Sequence, residues 1–194
     1  MIVSALLNVI FRPFFIHLAL YLSQSGDGNG SIKDSAMQVI FTKGSTRYGQ
    51  LRCVRMDGSA TQTQMPEQGI APHDMIHYVV EKRLRIQGAF FSQIRAGADI
   101  NFTLEHNEAS LAVADKTEIW QTESTVEALQ SLLWSADAPS YAGFIYLLEQ
   151  ACSNRKLAMP KISESDFEHI LNEIMDLTIE WQGMGEGQSL TLKF

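Results

Sequence analysis

The chain has 194 residues, of which 45% are apolar and 19% charged, with a formal net charge of -7. That length supports one hydrophobic core, and the composition excludes disorder throughout. A pI near 5.2, with no basic cluster beyond Lys82-Arg83-Leu84-Arg85, argues against a phosphate-binding surface, so no nucleic-acid partner is expected.

Residues 1–22 are strongly apolar but carry Arg12, Pro13 and His17 in their middle. A membrane span needs about 20 apolar residues, and a central Arg costs it roughly 2.5–3.5 kcal/mol. A signal peptide places positive charge ahead of its apolar run, whereas here the charge lies inside it. Ser23–Ala36, with its Gly26–Ser31 core, reads as a flexible linker. It is no calcium loop: counted from Asp27, Ile32 stands where an EF-hand needs Gly and Gln38 where it needs an acid. Residues 1–36 are therefore expected to lie outside the fold. They are read as an upstream stretch behind a misplaced start codon, a weak membrane anchor, or an apolar arm on the domain. Only the anchor version, through residues 1–22, brings in a membrane; otherwise a cytoplasmic protein is expected.

Met37–Lys43 is rich in β-branched and aromatic residues and predicts a strand stopped by Gly44. Gly49–Met56 alternates, placing Leu51, Cys53 and Arg55 on one face. Asp57-Gly58 then predicts a hairpin into Ser59–Gln64, because Gly accepts φ > 0 without steric cost. After a loop over Pro66–Ala71, a helix is expected from near Pro72 to about Leu84. A second covers Ala89–Ala96 and stops at Gly97. Asn101–Leu104 and Ser110–Ala114 read as short strands. Ser124-Thr-Val-Glu127 matches a capping box and predicts a helix from there that buries Leu129, Leu132 and Leu133. Pro139 begins the next helix, with Tyr141, Phe144, Leu148 and Cys152 inward. Ser163-Glu-Ser-Asp166 opens the last, whose Phe167, Ile170, Ile174, Leu177 and Trp181 keep amphipathic spacing. Gly183, Gly185 and Gly187 end it, and Ser189–Phe194 alternates as a strand that rejoins the sheet. Residues 37–194 are thus expected to form a single α+β domain: an N-terminal antiparallel β-meander, a helical middle and C-terminal part, and a final returning strand.

Chemistry concentrates in Pro72-His-Asp-Met-Ile-His-Tyr-Val-Val-Glu81. The only cysteines, Cys53 and Cys152, lie in apolar stretches without a C-x-x-C and read as buried free thiols. At 100° per residue, His73, His77 and Glu81 form a row beside the buried face of a helix, with Asp74 close by. Two His at i and i+4 can share one divalent metal such as zinc, as in H-E-x-x-H hydrolases. In that reading His73 and His77 are ligands, and Asp74 or Glu81 is the acid–base group. Three features count against it. Asp74 is a methylene shorter than the usual Glu, and Glu81 lies about 12 Å along the axis from His73. Two ligands are also too few, so a third must come from elsewhere, with His106 and His169 as candidates. Glu81 is placed instead to orient His77 or to pair with Arg85. In the structural reading Asp74 complements the positive helix end and both His residues hydrogen-bond within the fold.

These residues, with Gly88-Ala-Phe-Phe91 and Ala96-Gly97, resemble a group of short bacterial proteins. Their shared signature is P-H-D-x-x-H-Y-x-V-E … G-F-F … G, after an N-terminal strand pair with an Asp-Gly turn. The resemblance spans about Met37–Gly97 and departs at Gly88-Ala89, where the family has Phe directly after Gly, and at Ser92-Gln93. The family has no assigned activity. The resemblance implies a cytoplasmic bacterial domain starting near Met37, marks His73, Asp74, His77 and Glu81 as its motif, and implies no reaction. The sequence alone favours a binding, interaction or structural domain, with homo-oligomers as one form of it. The alternative is a metal-dependent hydrolase built on the His73/His77 helix.

Overall fold

Strict alternation builds the sheet. In the computed structural model, which describes residues 36–45, 47–67, 70–101 and 108–194, the meander is β1 (Gln38–Thr42), β2 (Tyr48–Val54) and β3 (Ala60–Pro66). Along β2, Gly49, Leu51 and Cys53 are buried while Gln50 and Arg52 are exposed. Gly58 takes φ +84 in the β2–β3 turn, a conformation that side chains with a Cβ resist. The last strand, β4 (Ser189–Lys193), pairs antiparallel with β1, so the sheet order is β3-β2-β1-β4. Phe41 faces Leu51 on one side and Leu190 on the other, and Val39 faces Cys53 and Leu192. Arg55, in phase with Leu51 and Cys53, reaches the helices: its Nε donates to the Ile94 carbonyl at 2.6 Å and Nη2 to the Ala98 carbonyl at 2.5 Å.

The helices are α1 (His73–Arg83), α2 (Phe90–Arg95), α3 (Glu108–Val113), α4 (Lys116–Trp134), α5 (Tyr141–Asn154) and α6 (Glu164–Gly183). The fold class is α+β. Helix α1 is the pivot, packing against both α4 and α6, while α5 packs on α4 and α6. The Tyr78 hydroxyl donates to the Lys193 carbonyl at 2.9 Å, fastening α1 to the returning strand. Phe91 packs edge-on to Tyr78 and against Phe194. On the far side Phe144 stacks on Phe167 with centroids 5.0 Å apart. Each such side chain, fully buried, contributes about 1.5–3 kcal/mol. Helix α6 opens at Ser163–Asp166 as expected, and the two residues form a reciprocal capping box. Among the described residues no helix is long and apolar enough to cross a membrane.

Three expectations need correction. Helix α4 does not begin at Ser124: it starts eight residues earlier, with the Asp115 side chain accepting from the Thr117 and Glu118 amides. Ser124 and Thr125 lie mid-helix, donating to the carbonyls of Trp120 and Gln121 at 2.8 Å each. That back-bonding satisfies the hydroxyls without ending the helix. Residues 110–113, expected as strand, belong to α3; the Glu, Ala and Leu around them are good helix formers. Helix α1 is not one-sided: Met75 through Glu81 are all buried, so His77 and Glu81 lie within the interior. The expectations for residues 1–35, for a strand through 102–104 and for His106 lie outside the described residues.

Candidate metal centre

Helix α1 begins where predicted, with Pro72 just ahead of its first turn, and carries His73 and His77 on one stripe. Their rings lie 4.8 Å apart between centroids, tilted by 59°. Both direct Nε2 at one carboxylate from the facing helix α4. His73 Nε2 is 3.5 Å from Glu123 Oε1, and His77 Nε2 is 3.0 Å from Glu123 Oε2. Ligand atoms of these three residues all lie within 4.8 Å of one another. Bonds of about 2.0–2.1 Å to a tetrahedral ion place neighbouring ligand atoms about 3.3 Å apart, which the two His–Glu separations bracket.

The remaining carboxylates of the motif stand behind the rings. Glu81 Oε1 is 3.4 Å from His77 Nδ1, and Asp74 Oδ1 is 3.8 Å from His73 Nδ1. Glu81 is fully buried, and its other oxygen accepts the Phe91 amide at 2.9 Å. Asp74 and Glu81, read from the sequence as acid–base groups, therefore sit on the Nδ1 sides, away from the face where the Nε2 atoms meet Glu123. Arg85, the alternative partner of Glu81, is exposed and carries a left-handed φ of 54 in the turn after α1. His169 is exposed on α6 and contacts Ser165, so it contributes nothing to this cluster.

Helix α4 reaches its place through Gly88. The Gly88 amide donates to Glu118 Oε2 at 2.7 Å, and the Asp115 amide donates back to the Gly88 carbonyl at 3.2 Å. A Cβ at Gly88 would stand 2.7 Å from the Asp115 nitrogen, so the close approach of α4 requires glycine here. The Gly88–Phe91 turn thus seats α4, and with it Glu123, while delivering the Phe91 amide to Glu81.

The electrostatics are those of a charge cluster held out of water. Burial disfavours charge on His77, yet the hydrogen bond to Glu123 and the nearby carboxylates of Glu123 and Glu81 outweigh it and push its pKa up to about 10. His73 also rises, against burial, through Asp74 and Glu123. Burial works to raise Glu123, but the two imidazoles hold it well below the usual carboxylate range. Burial raises Glu81. Without a metal, His77 therefore carries a proton against the Glu123 carboxylate. His73 Nε2, His77 Nδ1 and Glu81 Oε1 remain buried without a hydrogen-bond partner among the described residues. Unpartnered buried polar atoms are uncommon and call for a cause.

Glu123 is the residue that sequence reasoning missed. The misread start of α4 left it outside any helix, and a D-x-x-E cap at Asp115–Glu118 was the signal that would have placed it. No family model, curated protein or solved structure matches the chain, so the centre stands on its own geometry.

Proposed function

We propose that this protein binds one divalent transition-metal ion of the zinc class through His73 Nε2, His77 Nε2 and the Glu123 carboxylate. The observation that carries the reading is the convergence of those three donors from two helices, with His–Glu separations of 3.0 and 3.5 Å. Two imidazoles and one carboxylate form a borderline donor set suited to zinc and its neighbours. Three protein donors leave a coordination position free for water or a small ligand, as catalytic zinc sites do and closed structural sites do not. The side chains of His73 and Glu123 keep 29% and 25% of their surface, while the His73 Nε2 atom itself is buried, so the donors meet at the edge of the interior. The convergent donor set supports the metal-dependent alternative over a purely structural helix.

Within this reading a hydrolase is the narrower version. A bound ion supplies an activated water at neutral pH. The chain's part is to hold the ion on α1 and α4. Asp74 and Glu81 act as orienting groups behind the rings, not as bases at the open position. Metal analysis after chelation and reloading tests the proposal, with folding checked by circular dichroism. Wild type should retain one zinc per chain, and His77→Ala should retain trace metal only. Equal trace metal in both would remove the proposal.

A further inference from the structure

We infer that Glu81 is a positioning residue that fixes the tautomer and tilt of His77, so that Nε2 is the nitrogen offered to the metal. This rests on the metal-binding reading above. Glu81 has no exposed surface, and burying a carboxylate is costly unless its oxygens are satisfied. One oxygen is: Oε2 accepts the Phe91 amide at 2.9 Å. The other is not. Oε1 has no hydrogen-bond partner among the described residues, nor has His77 Nδ1, and the two face each other at 3.4 Å. A small rotation of the imidazole would close that gap and complete both groups at once.

The resulting arrangement is Glu81 carboxylate, His77 Nδ1–H, His77 Nε2 and then the ion. Metal-bound histidines almost always donate their second nitrogen in this way, which locks the ring. The chain builds it from two short-range devices. The i, i+4 spacing sets Glu81 under His77 on one helix. The Gly88–Phe91 turn pins the other carboxylate oxygen, so Glu81 cannot swing away.

A role limited to accepting the Phe91 amide makes a different forecast, and the Glu81→Gln substitution separates the two. The new side-chain amide would have a single acceptor oxygen for two donors. With that oxygen on Phe91, its NH2 would face His77 Nδ1 and favour the tautomer that carries hydrogen on Nε2, the wrong one for binding. The experiment is cobalt(II) titration of the metal-stripped full chain, wild type against Glu81→Gln, by chelator competition and visible absorption. The expected result is one cobalt per chain in both, about 10–100-fold weaker in the variant, with shifted visible bands. Affinity within about threefold of wild type and unchanged bands would overturn the inference and leave metal binding intact. Failure of wild type to take up cobalt would overturn the metal-binding reading itself, and this inference with it. Should Glu81→Gln fail to fold, nitrogen-15 NMR of the zinc-loaded wild type decides the matter. His77 should show a protonated Nδ1 and a metal-bound Nε2; the reverse assignment would overturn the inference.

Discussion

Replacing Glu123 by alanine in the chelated protein strands a buried cation. His77 is 9% exposed at its side chain and loses its closest counter-charge, 3.0 Å away. Breaking a fully buried pair costs about 3–5 kcal/mol; with Glu123 a quarter exposed, we expect about 2 kcal/mol. For a chain of this size that lowers Tm by about 4–8 °C. The deficit should depend on pH in a defined direction. The folded pKa of His77, about 10, lies above its ordinary 6.5, so its stabilisation is complete below pH 6.5 and fades as pH rises through 10. Glu123 is depressed below 4.5, so its share is present above that value and is lost on acidification. The variant's deficit is therefore largest between about pH 5 and 6.5 and shrinks toward pH 10. Urea unfolding of both proteins in chelator at pH 6 and pH 9.5 measures it. Equal stabilities at pH 6, or a deficit that grows with pH, would refute the reasoning. Zinc added at about 100 times its Kd should then stabilise wild type by about 2.7 kcal/mol and leave the variant unchanged.

The seat of α4 is tested by Gly88→Ala. Its Cβ would meet the Asp115 nitrogen at 2.7 Å and Glu118 Oε2 at 2.9 Å. Backbone must move, costing about 1–3 kcal/mol, and zinc affinity should fall because Glu123 moves with α4; a variant matching wild type in both urea midpoint and affinity would contradict this. The thiols make a third test. Burial pushes Cys53 up to about 12 and raises Cys152, so at pH 8 neither is a ready thiolate. A disulfide-exchange reagent should leave the native protein unmodified and titrate two thiols after denaturation, and rapid labelling of folded protein would count against the packing.

The sheet was legible because alternation and an Asp-Gly turn are local signals. Leu51 and Cys53 fell on the predicted face, and Ser189–Lys193 returned beside β1. The paired imidazoles were legible too, since i and i+4 on a helix needs no knowledge of the rest of the fold. Their third partner was not, for a physical reason. Ser124 and Thr125 are residues that favour caps, and only the burial of α4 against α1 and α5 makes a mid-helix position with hydroxyl back-bonds preferable. The depth of His77 and Glu81 was hidden in the same way. A helix packed on several sides keeps polar residues inside when they complete one another, and a wheel drawn from α1 alone shows only half of its surroundings. Glu81 was nonetheless placed beside His77 by spacing alone, and the 3.4 Å approach agrees with that.

Anomalous diffraction at the zinc absorption edge, from crystals of the zinc-loaded protein, tests the central claim most directly. A single strong peak is expected at bonding distance, about 2.0–2.2 Å, from His73 Nε2, His77 Nε2 and a Glu123 oxygen, with His77 Nδ1 turned onto Glu81. A peak elsewhere on the chain, or none beside helix α1 in zinc-saturated crystals, would contradict it.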